Sequence, residues 1–247
     1  THEGKTLFEY VSTAYSQLVR GENEISSTGD GSSGTIYIAA TVTALHCFLF
    51  QFLNEYHNKI YPNVRFEIKT AGNNACIELM QKGAVDMAFV TTPCSISKNL
   101  VVSNLVTIQD ILIAGQKYEN LKDTTLSYED LNSHSLVFLN PNMQLRKFID
   151  SVMEENNILL SPNIELDSTN LIIPMVENNF GLGFVPYEIA KESLEKESVF
   201  SVTLEKKLPQ RKVIMTYDSD HYQTSASKRF LKMVLERANG VMTEKGD

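Results

Sequence analysis

From Leu7 to Leu18 the apolar residues Leu7, Val11, Ala14, Tyr15 and Leu18 follow a 4-3-4 spacing, and no proline interrupts residues 7–25. That period lays one stripe down a single helix face. The next nine residues, Ser26 to Gly34, are serine, threonine, aspartate and glycine only, a composition that neither continues a helix nor builds a core, so it predicts a flexible connector. A helix with one apolar stripe, separated in this way from the globular part of the chain, is expected to pack against a partner helix through Leu7, Val11, Tyr15 and Leu18. The alternative is that it folds back on its own domain.

Beyond residue 34 short β-rich runs alternate with helical ones. Residues 35–39 predict a strand, 44–61 a helix, 64–69 a strand, 76–82 a short helix closed by Gly83, and 85–90 an apolar strand. A second set comes later, with strands at 135–139, 164–166 and 183–185 and helices at 144–157 and 171–178. Pro174 must either kink the last helix or delay its start. Two β-rich segments, 105–114 and 212–217, flank this second set, and an amphipathic helix over 225–238 ends the pattern.

Alternating βαβ units predict an α/β fold with parallel sheets covered on both faces. The simplest arrangement is two Rossmann-like lobes: 35–107 with 213–247, and 108–212, preceded by a linker helix and connector over 1–34. Two crossings of the chain make a hinge, and a cleft between lobes is where a small ligand would be held.

Composition narrows the function. The chain has 247 residues, 43% of them hydrophobic, and 22 basic against 30 acidic side chains give a net charge of −8. DNA binding needs a basic face to displace counterions from phosphates. The nearest basic stretch, Lys206 and Lys207 through Arg211 and Lys212, is short and broken by apolar residues. No apolar run reaches the ~18 residues of a membrane span, and the first residues do not form a signal peptide. Cys47, Cys76 and Cys94 lack metal or disulfide-scaffold spacing, which fits a reducing cytoplasm. His46, His57, His134 and His221 are scattered, with none at i, i+3 or i, i+4 of another, so no metal site and no cofactor are expected. Nucleophile-elbow, zinc-protease, P-loop and dinucleotide motifs are absent, and an enzyme is not expected.

Several segments resemble the LysR-type transcriptional regulators. Thr1-His2-Glu3-Gly4-Lys5-Thr6-Leu7-Phe8 is similar to the end of that family's winged helix-turn-helix, where the dimer-forming linker helix begins. Ser33 to Ala39 resembles its first strand, Tyr61-Pro62-Asn63-Val64-Arg65-Phe66 its "YPxVxL" segment, Gly83 to Phe89 its "GxLDxAI" segment and Gly181 to Pro186 its "GxGIAxxP" segment. Each is weak alone, but five in family order are specific. The resemblance implies a fold similar to type 2 periplasmic binding proteins, in which an effector in the cleft biases how a homodimer or homotetramer is arranged on DNA. It also implies that DNA is contacted only through a winged helix-turn-helix, which is missing before Thr1.

In open α/β sheets ligands lie beyond the carboxyl ends of strands. Thr41, Val42 and Thr43 follow the first strand and match the family's effector loop; the bland role for either threonine is a helix cap. Gly72 and Asn73 follow the second strand, Asn73 at the family's polar contact position or as a turn residue. Thr91 and Thr92 end the third strand, where some family members that sense organic acids carry a cation absent here. From the second lobe come Asn140, Asn142 and Thr169, with Phe184 packing the interior nearby. Asp167 reads as a helix-start residue favoured by the helix dipole, and Cys94 as an inert thiol in preference to a redox sensor, since no cation lies beside it in sequence. The expected ligand is a carboxylate or amino-acid-like anion. A transport-type solute-binding protein would share the cleft, and an enzyme on the same scaffold is the third reading.

Overall fold

In a computed structural model the described residues are 1–26, 33–219 and 223–244. The connector predicted over 26–34 and His221 lie largely or wholly outside them. The chain divides into two compact units, Thr1–Val106 with Val213–Asp247, and Thr107–Lys212.

The first unit opens with α1 (His2–Ser26), followed by β1 (Ser33–Ala40). A continuous helical run over 42–60 comes next, in which α-helical α2 (Val42–Ala44) and α3 (Phe50–Glu55) alternate with π-helical turns at Leu45–Leu49 and Tyr56–Ile60. Then come β2 (Asn63–Thr70), α4 (Asn73–Gln81), β3 (Met87–Thr91) and β4 (Val101–Ile108). α4 starts three residues earlier than the pattern predicts, at Asn73. It ends where the spacing predicts, because Gly83 takes φ +63° and the amides of Gly83 and Ala84 bond back to Met80 and Leu79.

The second unit holds β5 (Asp110–Gly115), β6 (Thr125–Leu126), β7 (Leu136–Leu139), α5 (Gln144–Glu155), β8 (Ile164–Leu166), α6 (Ile172–Glu177), β9 (Leu182–Pro186), α7 (Tyr187–Glu195) and β10 (Val199–Leu204). β11 (Arg211–Tyr217) and α8 (Ser225–Glu244) return the chain to the first unit. The β-rich segment over 105–114 is therefore two strands, broken at Gln109 and belonging to different sheets. Pro174 delays its helix: a 3-10 turn at Thr169–Leu171 precedes α6, and Pro174 sits in the first α turn, where its missing N–H leaves no bond unmade.

The sheets are mixed, a correction to the all-parallel expectation. The first has the order β2-β1-β3-β11-β4, with β1 parallel to β2 and β3, and β11 antiparallel to β3. The second has the order β6-β10-β5-β9-β7-β8, with β5 antiparallel to both neighbours. β5 and β11 arrive without the crossover helix that makes a neighbouring strand parallel.

Each unit has its own core. In the first, Tyr56, Phe66 and Phe230 meet edge to face at 5.1–5.9 Å between ring centroids, and the Tyr56 hydroxyl donates to the Ala226 carbonyl of α8. Such aromatic pairs add roughly 0.5–1.5 kcal/mol each beyond the area they bury. In the second, α6 packs so closely on β9 that a Cβ on Gly183 would stand 2.6 Å from Ile172 Cγ2. The Gly181-Leu182-Gly183 pair is thus a packing device, since a Cβ on Gly181 would likewise meet the Ser135 carbonyl at 2.4 Å.

Candidate functional site

In the first unit three parallel strands end side by side, and their carboxyl ends gather most of the predicted residues. The Thr41 amide donates to the Phe89 carbonyl of β3, and the Ala71 amide to the Ala40 carbonyl of β1. Thr41 caps the helical run, its Oγ1 accepting from the Ala44 amide at 3.1 Å. Two residues on, Thr43 is buried, and its hydroxyl has no hydrogen-bond partner among the described residues. Gly72 is the exposed N-cap position of α4. Asn73 is committed: its amide nitrogen donates to the Thr91 carbonyl at 2.5 Å and its oxygen accepts from the Thr91 amide at 3.2 Å. This clamp takes one donor and one acceptor of Asn73 and fixes the end of β3. The Thr91 hydroxyl lies in a buried residue and has no partner among the described residues, while Thr92 precedes Pro93 through a cis peptide bond.

Beneath this edge, buried Asp86 holds the unit together. Its Oδ2 accepts from the Tyr37 amide at 2.8 Å and from the Ser227 hydroxyl at 2.7 Å, joining β1, the approach to β3 and the start of α8.

In the second unit the ends of β7 and β8 form a comparable edge. The Asn140 amide donates to the Leu166 carbonyl at 2.8 Å, and Asn140 Oδ1 accepts from the Asn142 amide at 3.2 Å. Asn142 is exposed. Thr169 begins the 3-10 turn and is buried, with no partner for its hydroxyl among the described residues. Asp167 is exposed, and Ser168 holds the N-cap position of that turn. Phe184 is not part of this edge: it lies in the core against Phe138, ring centroids 5.8 Å apart. The cavity it lines with Arg146 and Ile172 measures about 10 Å³, room for a single water at most.

Arg146, a cation that the sequence pattern does not single out, stands at the same end of β7. It donates to the Leu139 carbonyl at 2.9 Å, to both Asp150 oxygens and to Glu165 Oε1 at 2.8 Å. Burial acts to lower its pKa, but the bonds to Glu165 and Asp150 win and hold it above the ordinary arginine value. Two carboxylates offset the charge of this guanidinium through Nε and Nη1. Arg211, in the basic stretch over 206–212, is likewise buried in an ion pair with Asp110, which removes it from any DNA-facing surface.

The cysteines are set by burial. Cys76 is fully buried and its thiol is pushed up to about 11, and burial also raises half-buried Cys94. Among the described residues no group of three or more His, Cys, Asp or Glu is placed to hold a metal, and no helix is long and apolar enough to cross a membrane.

Two mixed α/β units, each with its own sheet, place the chain in the class of type 2 periplasmic-binding-protein-like folds. The chain belongs to the LysR substrate binding domain family, whose model matches residues 29–239. That family is one of transcriptional regulators. The chain is 23% identical over 233 residues to a probable RuBisCO transcriptional regulator of Thalassiosira pseudonana, covering 92% of this chain and 76% of the relative. It is 22% identical over 240 residues to the HTH-type transcriptional regulator YofA of Bacillus velezensis, covering 97% and 80%. Among solved structures, the effector binding domain of QuiR in complex with shikimate superposes with a TM-score of 0.72 at 16% identity, covering 84% of this chain and 98% of that one. The full-length virulence activator AphB of Vibrio cholerae superposes at 0.70 and 18% identity, covering 96% and 79%.

Proposed function

We propose that this chain senses a small carboxylate or amino-acid-like anion through the residues at its strand ends, and thereby controls how a DNA-bound oligomer is arranged. The observation that carries the reading is the set of hydroxyls on Thr43, Thr91 and Thr169. Each belongs to a buried residue, each sits at or just beyond a strand end, and none has a partner among the described residues. An uncommitted hydroxyl at a strand end keeps its donor and its lone pairs for a ligand, and a ligand with several acceptors would engage all three. Thr41, Val42, Gly72, Asn73, Thr92, Asn140 and Asn142 frame the same edges. Thr41 keeps an O–H to donate while its oxygen caps the helix, so capping and ligand contact are compatible. Phe184 supports the second unit from within the core. QuiR's complex with shikimate, a carboxylate, supports the ligand class.

For a ligand to act as a switch it must bind one arrangement of the units more tightly than another. DNA contact and a homodimer or homotetramer assembled through Leu7, Val11, Tyr15 and Leu18 complete the proposal. A thermal-shift screen, carboxylates and amino acids first, should give at least one compound that raises Tm. Thr43→Val and Thr169→Val should each lower its affinity by on the order of 1–3 kcal/mol, since each leaves a ligand group unpaired. A panel without any stabilising compound, or unchanged affinity in both variants by calorimetry, overturns the reading.

A further inference from the structure

The second unit contains a groove that none of the strand-end residues touches. β10 pairs with β5 from Val199↔Gly115 to Val202↔Leu112, and the ladder then stops. The last two residues of β10 stay with β6, through Thr203↔Thr125 and Leu204↔Leu126, so the strand parts from the beginning of β5. The missing rung is replaced by a side chain: Gln109 Nε2 donates to the Asp110 carbonyl at 3.1 Å and to the Leu208 carbonyl at 2.9 Å. Between the diverging strands lies an open groove of about 370 Å³, within the ~300–1,000 Å³ typical of small-molecule sites.

Its walls have two characters. Ile111, Leu204 and Leu208 supply apolar surface, while Ser201 and Thr203 supply hydroxyls and Lys207 an ammonium group. The adjacent Lys206 is tied to Asn156 Oδ1 at 2.9 Å. Lys207 has neither ion-pair nor hydrogen-bond partner among the described residues. A free cation at the rim of a half-apolar groove, in a chain of net charge −8, selects an anion with an apolar body.

We propose that this groove is a separate site for a small amphipathic monocarboxylate, its carboxylate on Lys207 and the Thr203 hydroxyl and its hydrocarbon part along Ile111, Leu204 and Leu208. The site shares no residue with the strand-end set and stands independently of the function proposed for it. The test is a titration of the whole chain with hexanoate, followed by calorimetry and by backbone amide NMR shifts, with hexylammonium in parallel. Hexanoate should saturate and shift the amides of Thr203, Leu204 and Leu208, and hexylammonium should bind more weakly. Lys207→Met should weaken hexanoate about fivefold, the upper end for an exposed charge contact, and Lys206→Met should leave it unchanged. Thr203→Phe, at an exposed position, should fill the groove and remove binding. Thr43→Val should have no effect. Absence of saturable binding, equal affinity for hexylammonium, wild-type affinity in Lys207→Met, or loss of binding in Thr43→Val would each overturn the proposal.

Discussion

Asp110 and Arg211, 101 residues apart in sequence, form a bidentate ion pair with Nε–Oδ2 at 2.6 Å and Nη2–Oδ1 at 2.7 Å. Their side chains are 0% and 1% exposed, and the guanidinium also lies over the Phe148 ring of α5 at 5.4 Å. One residue stands just after the chain enters the second unit and the other just before it leaves, so the pair pins both ends of that unit's chain. Removing one partner leaves a buried charge without compensation, and Asp110→Asn or Arg211→Met should destabilise the protein by about 3–5 kcal/mol. The double variant Asp110→Leu with Arg211→Met should recover much of that loss, because it buries no charge at all. Urea denaturation followed by circular dichroism measures both. Single variants as stable as the parent would show that the pair contributes nothing.

Asn73 and Thr91 form a second long-range tie, inside the first unit. Asn73→Ala removes both bonds and leaves the Thr91 amide and carbonyl without their partner in a buried position. The expected loss is about 1–3 kcal/mol. Asn73→Asp keeps the acceptor for the Thr91 amide but sets a carboxylate oxygen against the Thr91 carbonyl, so it should be no better than alanine. A higher midpoint for the aspartate variant in the same denaturation assay would mean that the carbonyl side of the clamp is dispensable.

Cys76 gives the protein a predictable alkaline limit. Burial raises its folded-state value to about 11 from the ordinary 9, so above pH 9 the unfolded thiol gives up its proton first. The stability that this protonated thiol contributes is complete below pH 9 and is lost as pH rises toward 11, by up to about 3 kcal/mol. Tyr56, raised to about 12 by burial first and the neighbouring Tyr61 second, adds to the loss only above pH 10. Cys76→Ala should therefore flatten the stability profile between pH 9 and 10. An unchanged slope there would sink the assignment. At neutral pH Cys76 should resist alkylation in the folded protein and react on unfolding.

What the sequence discloses is local, and what it conceals is distant. β8 spans Ile164–Leu166 and α5 starts at Gln144, as the apolar spacing predicts, because periodicity and turn residues act over a few positions. The break between β4 and β5 rests on Gln109 alone, and a composition window runs straight across it. The pattern does not predict α7 and β10, although Val199 to Leu204 has the β-branched, alternating character of a half-buried strand. It also misjudges the direction of β5 and β11, since alternation of helix and strand says nothing of a strand that joins its sheet without a crossover. Of the candidate site, the strand-end positions of Thr41, Thr43, Thr91 and Thr169 are legible from the order of elements. Two things are not. Asn73 is held by Thr91, eighteen residues away, and Arg146 at the end of β7 is neutralised by Asp150 and Glu165.

The face of α1 holding its apolar stripe is open. Leu7, Val11, Tyr15 and Leu18 are 63, 54, 67 and 69% exposed, with Phe8 and Tyr10 beside them at 71 and 74%. On a helical wheel Leu7, Val11, Ala14 and Leu18 form the centre of the stripe, and the aromatic rings of Phe8, Tyr10 and Tyr15 widen it to either side. Soluble proteins seldom leave so continuous an apolar face in water, and a second copy of the same helix would cover it with no new chemistry. Replacing Leu7, Val11 and Leu18 together by Asp should turn the seam into one of like charges and reduce the sedimentation mass toward that of a single chain. The units themselves should keep their melting behaviour, because these three side chains lie outside either core. A triple variant of unchanged mass would place self-association elsewhere, and one that lost its folded signal would show that α1 is held by its own chain.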